Sequence, residues 1–503
     1  MKRNKPSAKL NYIYNLIYQF LLIIAPLVTT PYISRVLGSA EIGKFSFASS
    51  ITNFFVVFAY LGFQYYAQRS IATCRDDRKK QSIMFWEIFM LKAINSIIIL
   101  IAYGVFLSFS TQSDYFILFI ILLPNILTVC LDISYLYQGN EMFGILALRN
   151  SVVKIIVVGL IFVFVRDQGD LAAYAILNVL AIFFSTASLW VAARKLIDKV
   201  AIRELNLKRH AVPSLKLFAP AIALSFLSTI NKTMIGFLVE GETILGSSEV
   251  VRNSDIQNGI FEQAHKVYTL GVLFLTSLGT VMIPRNAKDF SEGKIDVLNR
   301  NINKAISFTF FFGLPISLGF IAIASNLAGW FYGPGFDGII LVIIALAPKI
   351  LIEGMNNLLG IQLFLPQKKD KQYSFFIILG VVLNVALAIP LIINFGALGA
   401  AIAATISEFI VLIVVLIYLK KKENFSFTFP LKYLIISILM FAVVYSVQFL
   451  LKSSIVNTLV LVLIGSIVYL GILLLFKDKI AKELLYFVVK LFKKNKKQNI
   501  DKQ

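Results

Sequence analysis

The sequence predicts an all-α polytopic membrane protein. It would have about fourteen transmembrane helices, set as two pseudo-symmetric six-helix lobes around a central cavity, with two extra helices at the C-terminal end. Three observations carry this expectation. Hydrophobic residues make up 58% of the 503 and charged residues only 15%, where a soluble globule carries about a quarter charged. Apolar segments of the ~20 residues needed to cross a bilayer recur along the whole chain. A short motif near residue 40 returns about two hundred residues later with the same kind of neighbours on both sides, which suggests an internal duplication.

The spans fall near 11–36, 42–67, 83–109, 114–138, 141–165, 170–193, 215–239, 258–283, 301–324, 339–365, 373–393, 396–419, 430–451 and 455–476. Positive residues stay on the cytoplasmic side of short loops, so their distribution tests the count independently. With the N-terminus inside, 37 of the 48 Lys and Arg lie in cytoplasmic segments, six lie inside spans, and only Arg35, Lys44, Arg166, Arg252 and Lys452 lie outside. That asymmetry predicts an even number of spans and two cytoplasmic termini. It also accounts for the net charge of +21 through attraction to anionic membrane lipids, with no nucleic-acid partner.

In chain order, Lys2, Arg3, Lys5 and Lys9 precede an apolar run too long for a signal peptide, so the first span is read as uncleaved. The basic connection at 194–216 divides the spans into two groups of six. The expected organisation is an N-terminal lobe at 1–193, a cytoplasmic linker at 194–214, a C-terminal lobe at 215–419, an accessory pair of spans at 420–476 and a basic amphipathic tail at 477–503.

The recurring motif is Leu37-Gly38-Ser39-Ala40-Glu41-Ile42-Gly43-Lys44-Phe45, echoed as Leu245-Gly246-Ser247-Ser248-Glu249-Val250, an insertion at 251–258, and Gly259-Ile260-Phe261. No phosphate loop and no metal-spaced cluster accompanies His210, His265, Cys74 or Cys130, so neither an enzyme, a cofactor nor a bound metal is expected.

Charges inside spans are expensive and are functional candidates by default. Lys92, Arg149, Lys154, Lys232, Lys266 and Lys349 face Glu87, Asp132, Glu262, Glu353 and Glu408. Glu262 with Lys266, and Lys349 with Glu353, are four apart and share a helix face, so an ion pair and a ligand contact are both open for them. Arg149, Lys154 and Lys232 have no acid at that spacing. They would line a water-filled cavity that attracts an anion, a phosphate-bearing ligand being the natural choice, unless they pair across helices with acids such as Asp132 or Glu408. Asn15, Gln19, Pro26 and Pro31 in the first span fit a cavity face and a hinge, with Pro315 and Pro348 as further hinge candidates.

The opening string Asn15-Leu16-Ile17-Tyr18-Gln19, then Pro26-Leu27-Val28-Thr29-Thr30-Pro31-Tyr32-Ile33-Ser34-Arg35-Val36-Leu37-Gly38, resembles the start of the Wzx-type (RfbX-like) polysaccharide flippases. These belong to the multidrug, oligosaccharidyl-lipid and polysaccharide exporter superfamily. The segment Gly259-Ile260-Phe261-Glu262-Gln263-Ala264-His265-Lys266 and the pair Pro284-Arg285 resemble it too.

The resemblance implies a flippase moving undecaprenyl-diphosphate-linked oligosaccharide repeat units across the bacterial plasma membrane by alternating access. A polysaccharide polymerase and chain-length proteins would be its partners. A cationic lumen is also a family trait; with it, Arg149, Lys154 and Lys232 are expected to hold the diphosphate, with Lys266 and Lys349 as further cavity cations, and Asn15, Gln19, Asn53, Asn356 and Asn357 to meet sugar, while Asp132 and Glu408 are the candidate ion-coupling carboxylates. A lipid II flippase and a drug/cation antiporter of the same superfamily are the alternative readings.

Overall fold

The computed structural model describes residues 8–111, 113–216, 218–245, 249–277, 292, 295–365, 367, 369–423 and 425–486. Its helices are α1 (Ala8–Tyr60), α2 (Phe63–Cys74), α3 (Arg78–Phe109), α4 (Phe116–Leu122), α5 (Pro124–Leu131), α6 (Ser134–Gly139), α7 (Phe143–Phe164), α8 (Leu171–Ala187), α9 (Leu189–Ala193), α10 (Lys208–Lys216) and α11 (Phe218–Leu238). A hairpin of β1 (Glu242–Leu245) and β2 (Glu249–Arg252) follows, antiparallel, with Glu242 opposite Arg252. Then come α12 (Asn253–Ser277), α13 (Ile295–Phe331), α14 (Ile339–Asn357), a π-helical turn (Leu358–Phe364), α15 (Asp370–Lys422), α16 (Leu431–Gln448) and α17 (Ile455–Leu475).

Ten helical segments among the described residues are long and apolar enough to cross a membrane. Ile97, Ile98, Ile101 and Phe109 of α3 are exposed, as apolar faces are when hydrocarbon rather than water surrounds them. At 53 residues each, α1 and α15 would be about 80 Å long if straight, against a hydrocarbon core of ~30 Å. Each is therefore broken, at Gly38 (φ 75°) and at Gly396 (φ 54°), both in a region that side chains with a Cβ rarely enter.

Neighbours show that α1 reverses at its break. Before it the chain climbs from Tyr18, beside Asn150 and Arg149, to Tyr32, whose hydroxyl donates to the Val165 carbonyl at 2.6 Å. After it the chain descends through Thr52 to Tyr60, which donates to Asp132, and Asp132 lies in the field of Arg149. The first two expected spans are thus the two legs of α1. Counted by legs, the ten apolar segments make twelve helical lengths, and α11 and α12, at 21 and 25 residues, are long enough to add two.

Some boundaries differ from expectation. The second leg stops at Tyr60 rather than residue 67, because Leu61 (φ 41°) and Gly62 (φ 72°) turn the chain into α2. The fourth span is three short helices, interrupted at Pro124 and at Asp132, whose backbone is extended. The prolines expected as hinges, Pro26, Pro31, Pro315 and Pro348, lie inside continuous helices.

The chain forms two compact units, residues 1–266, 332–342 and 371–407 in one and 267–331, 343–370 and 408–503 in the other. In the first, Phe63, Phe85, Tyr135 and Leu189 centre one core. The linker is fastened there: Glu87 accepts from Arg209 Nε at 3.0 Å, His210 Nε2 at 2.7 Å and the Asn206 backbone amide at 2.7 Å. In the second, α16 and α17 pack on α13 through Phe311, Tyr433, Met440 and Tyr469. Asp478 caps the start of the tail by accepting from the amides of Ile480 and Ala481. The rest of the tail, Gly246-Ser247-Ser248 and Pro284-Arg285 lie outside the described residues.

Candidate substrate-binding site

In the first unit, one face of the second leg of α1 carries Ser46, Ser49, Ser50 and Asn53 at helical spacing. These line a cavity of about 420 Å³ shared with Tyr60, Asn125 and Thr128 of α5, Asn178 of α8, and Thr229 and Lys232 of α11. Most of these groups are tied to neighbours. Asn53 donates to Ser225 at 3.2 Å, and Ser50 shares a 2.8 Å bond with Thr233.

One wall is ionic. Lys232 is ion-paired with Glu262, which also faces Lys266 at 3.7 Å and accepts from Ser46 at 3.3 Å. Lys154 of α7 makes no ion pair among the described residues and lies in the field of Lys266. Two lysines therefore share one carboxylate and a third, Lys154, lies in the field of one of them, a local excess of positive charge that an anionic group would offset.

This pairing revises the expectation for Lys232. It had no acid at same-helix spacing, and the cross-helix partners named as alternatives were Asp132 and Glu408, whereas it is Glu262 that reaches it, from α12. Arg149 also has partners, donating to the Ser185 carbonyl at 2.5 Å and to Asn150 at 3.0 Å.

Nearby, Lys92 is buried between the rings of Tyr60 and Tyr135, at 5.5 and 5.1 Å, and donates to the Asp132 carbonyl at 2.6 Å. The Asp132 carboxylate accepts from Tyr60 at 3.0 Å and from the Ser134 amide at 2.9 Å. The position of Asp132 at the interruption between α5 and α6 leaves that amide free to be capped.

The second unit holds a separate cluster. Lys349 faces Glu353 at 3.4 Å and lies 4.9 Å from the Tyr268 ring centre. Asn356 donates to the Glu408 carboxylate at 2.6 Å and to its backbone carbonyl at 3.1 Å. Gln19 and Asn357 are half-buried on their helices, and the Asn15 side chain lies outside the described residues. The structure thus joins Asn53, Lys154, Lys232 and Lys266 in one unit and Lys349, Asn356 and Glu408 in the other.

The hydroxyl groups of the cavity were not singled out in the sequence. The i, i+3, i+4, i+7 recurrence of Ser46, Ser49, Ser50 and Asn53 was the available signal, and it is partly hidden because serine is common in membrane helices, where it bonds back to the preceding turn.

A second arrangement lies about one helical turn from Ser46 and Glu262 in the same unit. A Cβ added to Gly43 would lie 1.7 Å from the Asp255 carbonyl oxygen, and one added to Gly259 1.9 Å from that of Ser39. The two copies of the recurring motif therefore cross backbone against backbone. Around the crossing, Tyr115 donates to Asp255 at 2.7 Å, Arg252 pairs with Asp114 at 2.9 Å, and Gln257 accepts from the Ala397 amide at 2.9 Å.

The model of the polysaccharide biosynthesis protein family matches residues 9–290, more than half of the chain. The chain belongs to that family. Its resemblance to the Wzx-type branch of the exporter superfamily is borne out. Among relatives of the family, it is 25% identical over 441 residues to a candidate O-antigen transporter of Escherichia coli, covering 84% of this chain and 99% of that protein. It is 24% identical over 325 residues to a capsular polysaccharide biosynthesis protein of Staphylococcus aureus, covering 63% and 78%.

Among solved structures, a lipid II flippase in an inward closed conformation superposes with a TM-score of 0.72 at 18% identity, over 95% of this chain and all of that one. An inward-facing multidrug transporter of the same superfamily gives 0.62 at 15%, over 80% and 93%. These likenesses establish the polytopic all-helical transporter fold.

Proposed function

We propose that this multi-pass membrane protein is a flippase that carries undecaprenyl-diphosphate-linked oligosaccharide repeat units across the bacterial plasma membrane by alternating access, for surface polysaccharide synthesis. The observation that carries the reading is the pairing of Lys232 and Lys266 with the Glu262 carboxylate, with Lys154 in the field of Lys266, beside a cavity whose lining includes hydroxyls and carboxamides. A diphosphate supplies the charge the cluster lacks, and a glycan matches the neutral hydrogen-bonding groups next to it. The relatives' names, O-antigen transport and capsular polysaccharide biosynthesis, point the same way.

On this reading the chain transports rather than catalyses, and both termini face the cytoplasm, where the basic loops meet anionic lipid. Arg149 and Gln19 in the first unit, and Lys349, Asn356 and Asn357 in the second, are further contacts to test, the cations for the diphosphate and the carboxamides for sugar. Asp132 and Glu408 are the carboxylates to test for ion coupling, each already held by a neighbouring hydroxyl or amide donor. A polymerase and chain-length proteins would receive the product.

The test is complementation of a strain lacking its own repeat-unit flippase. Expression of the chain should restore surface polysaccharide and drain the inner pool of lipid-linked repeat units. Restoration of peptidoglycan synthesis in a strain depleted of its lipid II flippase, or of dye resistance, with no change in polysaccharide would overturn the reading.

A further inference from the structure

The cavity of the first unit is built for a narrower task than holding charge. Its walls carry Ser, Thr and Asn side chains that both donate and accept. Its only carboxylate among the described residues, Glu262, is engaged by two lysines and a serine. That composition does not suit a cationic ligand, which would need a free acid, while Val56, Leu122, Val129 and Ile182 offer apolar contact to the faces of a sugar ring.

Two polar atoms of the lining, Ser49 Oγ and Asn125 Oδ1, are buried without a hydrogen-bond partner among the described residues. Buried polar groups are ordinarily paired, and a ligand hydroxyl or amide would give each of these atoms a partner. A volume near 420 Å³ lies within the ~300–1,000 Å³ of small-molecule sites, and Phe45 and Tyr60 add ring faces. Lys232, on the cavity wall, places the cationic cluster at its edge.

We propose that this cavity is the subsite for the sugar joined directly to the diphosphate, with Ser49 and Asn125 as specificity contacts to its hydroxyl or acetamido groups. The proposal rests on the flippase reading above and adds to it where the glycan sits. Lys154 and Lys266 would hold the anionic link, and the first ring would enter the cavity beside Asn53.

The experiment uses the full chain in nanodiscs and two probes, undecaprenyl diphosphate bearing one N-acetylglucosamine and bare undecaprenyl diphosphate. Ser49→Ala and Asn125→Leu should each weaken the sugar-bearing lipid about five- to tenfold, the worth of one buried hydrogen bond, and leave the bare lipid within about twofold. Lys154→Ala should weaken both probes. Because each variant removes an unpaired buried group, the ligand-free protein should unfold at the same temperature or higher, which separates loss of a contact from loss of the fold.

Equal affinity of the variants and the unsubstituted chain for the sugar-bearing lipid, or parallel loss for both probes, would overturn the subsite. Binding of neither probe by the unsubstituted chain would instead bring down the flippase reading and the subsite with it.

Discussion

Replacing Gly259 by alanine puts a number on the crossing of the two recurring motifs. The new Cβ would fall 1.9 Å from the Ser39 carbonyl oxygen, about 1.5 Å inside ordinary contact. The obstacle is backbone, so no side-chain rotation relieves it. The two segments must part by a comparable distance, at a cost of about 1–3 kcal/mol, as for other overpacked sites. If the crossing opens and closes during transport, that cost falls on the closed arrangement alone and shifts the balance toward the open one roughly 5- to 150-fold.

The assay is the rate at which a membrane-impermeant maleimide labels Ser39→Cys, with Cys74 and Cys130 replaced by serine. Ser39 is 3% exposed, so labelling starts slow and should rise at least fivefold in Gly259→Ala and in Gly43→Ala. Gly104→Ala, where a Cβ would meet nothing within 4 Å, is the control. Unchanged labelling in correctly inserted Gly259→Ala protein would refute the claim that backbone contact holds this crossing shut.

Three further outcomes follow from described contacts. Lys232→Met should destabilise detergent-solubilised protein by about 3–5 kcal/mol, because it strips the Glu262 carboxylate of its nearest cation; Lys232→Met with Glu262→Gln should regain most of that loss in thermal unfolding, and a double variant no better than the single would contradict it. Burial raises the Asp255 carboxyl to about 6, against the opposing pull of the Tyr115 hydroxyl, Lys44 and Arg252 and with a small push from Glu41. An acid whose folded value is raised stabilises most below its unfolded value and loses that contribution as pH rises through the folded one. The 39–43 crossing should therefore hold more firmly at pH 5 than at pH 7.5, with the maleimide rate rising across that window and flattening in Asp255→Asn. Arg209→Ala with His210→Ala leaves Glu87 buried with only the Asn206 amide and should speed protease cleavage within the 194–207 segment more than tenfold, while Lys208→Ala should leave it unchanged.

Much of the architecture was legible because lipid imposes simple rules. Span length, the sidedness of lysine and arginine, and the need for a break within 53 residues of apolar helix all act locally along the chain. Same-helix pairs were legible for the same reason: Lys266 with Glu262 and Lys349 with Glu353 are where a four-residue spacing puts them. Lys232 with Glu262, Lys92 with Asp132, and Glu87 with Arg209 and His210 were not, since their partners are 30, 40 and more than 120 residues away. Hinges were expected at proline, whereas the breaks within α1 and α15 are at Gly38 and Gly396, at the junctions between the expected spans. A proline costs one hydrogen bond and is accommodated within a membrane helix, whereas a reversal needs a positive φ. The recurring motif was read as evidence of duplication, but that its two glycines would touch could not be foreseen without the fold.

The insertion at 251–258 has a consequence for how such chains can diverge. Its Arg252, Asp255 and Gln257 engage Asp114, Tyr115 and the Ala397 amide, three residues at two places far apart in the chain. Removing the insertion would orphan all three at once, so it is not free to lengthen or shrink as surface loops usually are. Lineages that gain or lose it should change residues 114, 115 and 396–397 in step, and a chimera that transplants the segment alone should insert into the membrane yet lack a firm closure at this crossing.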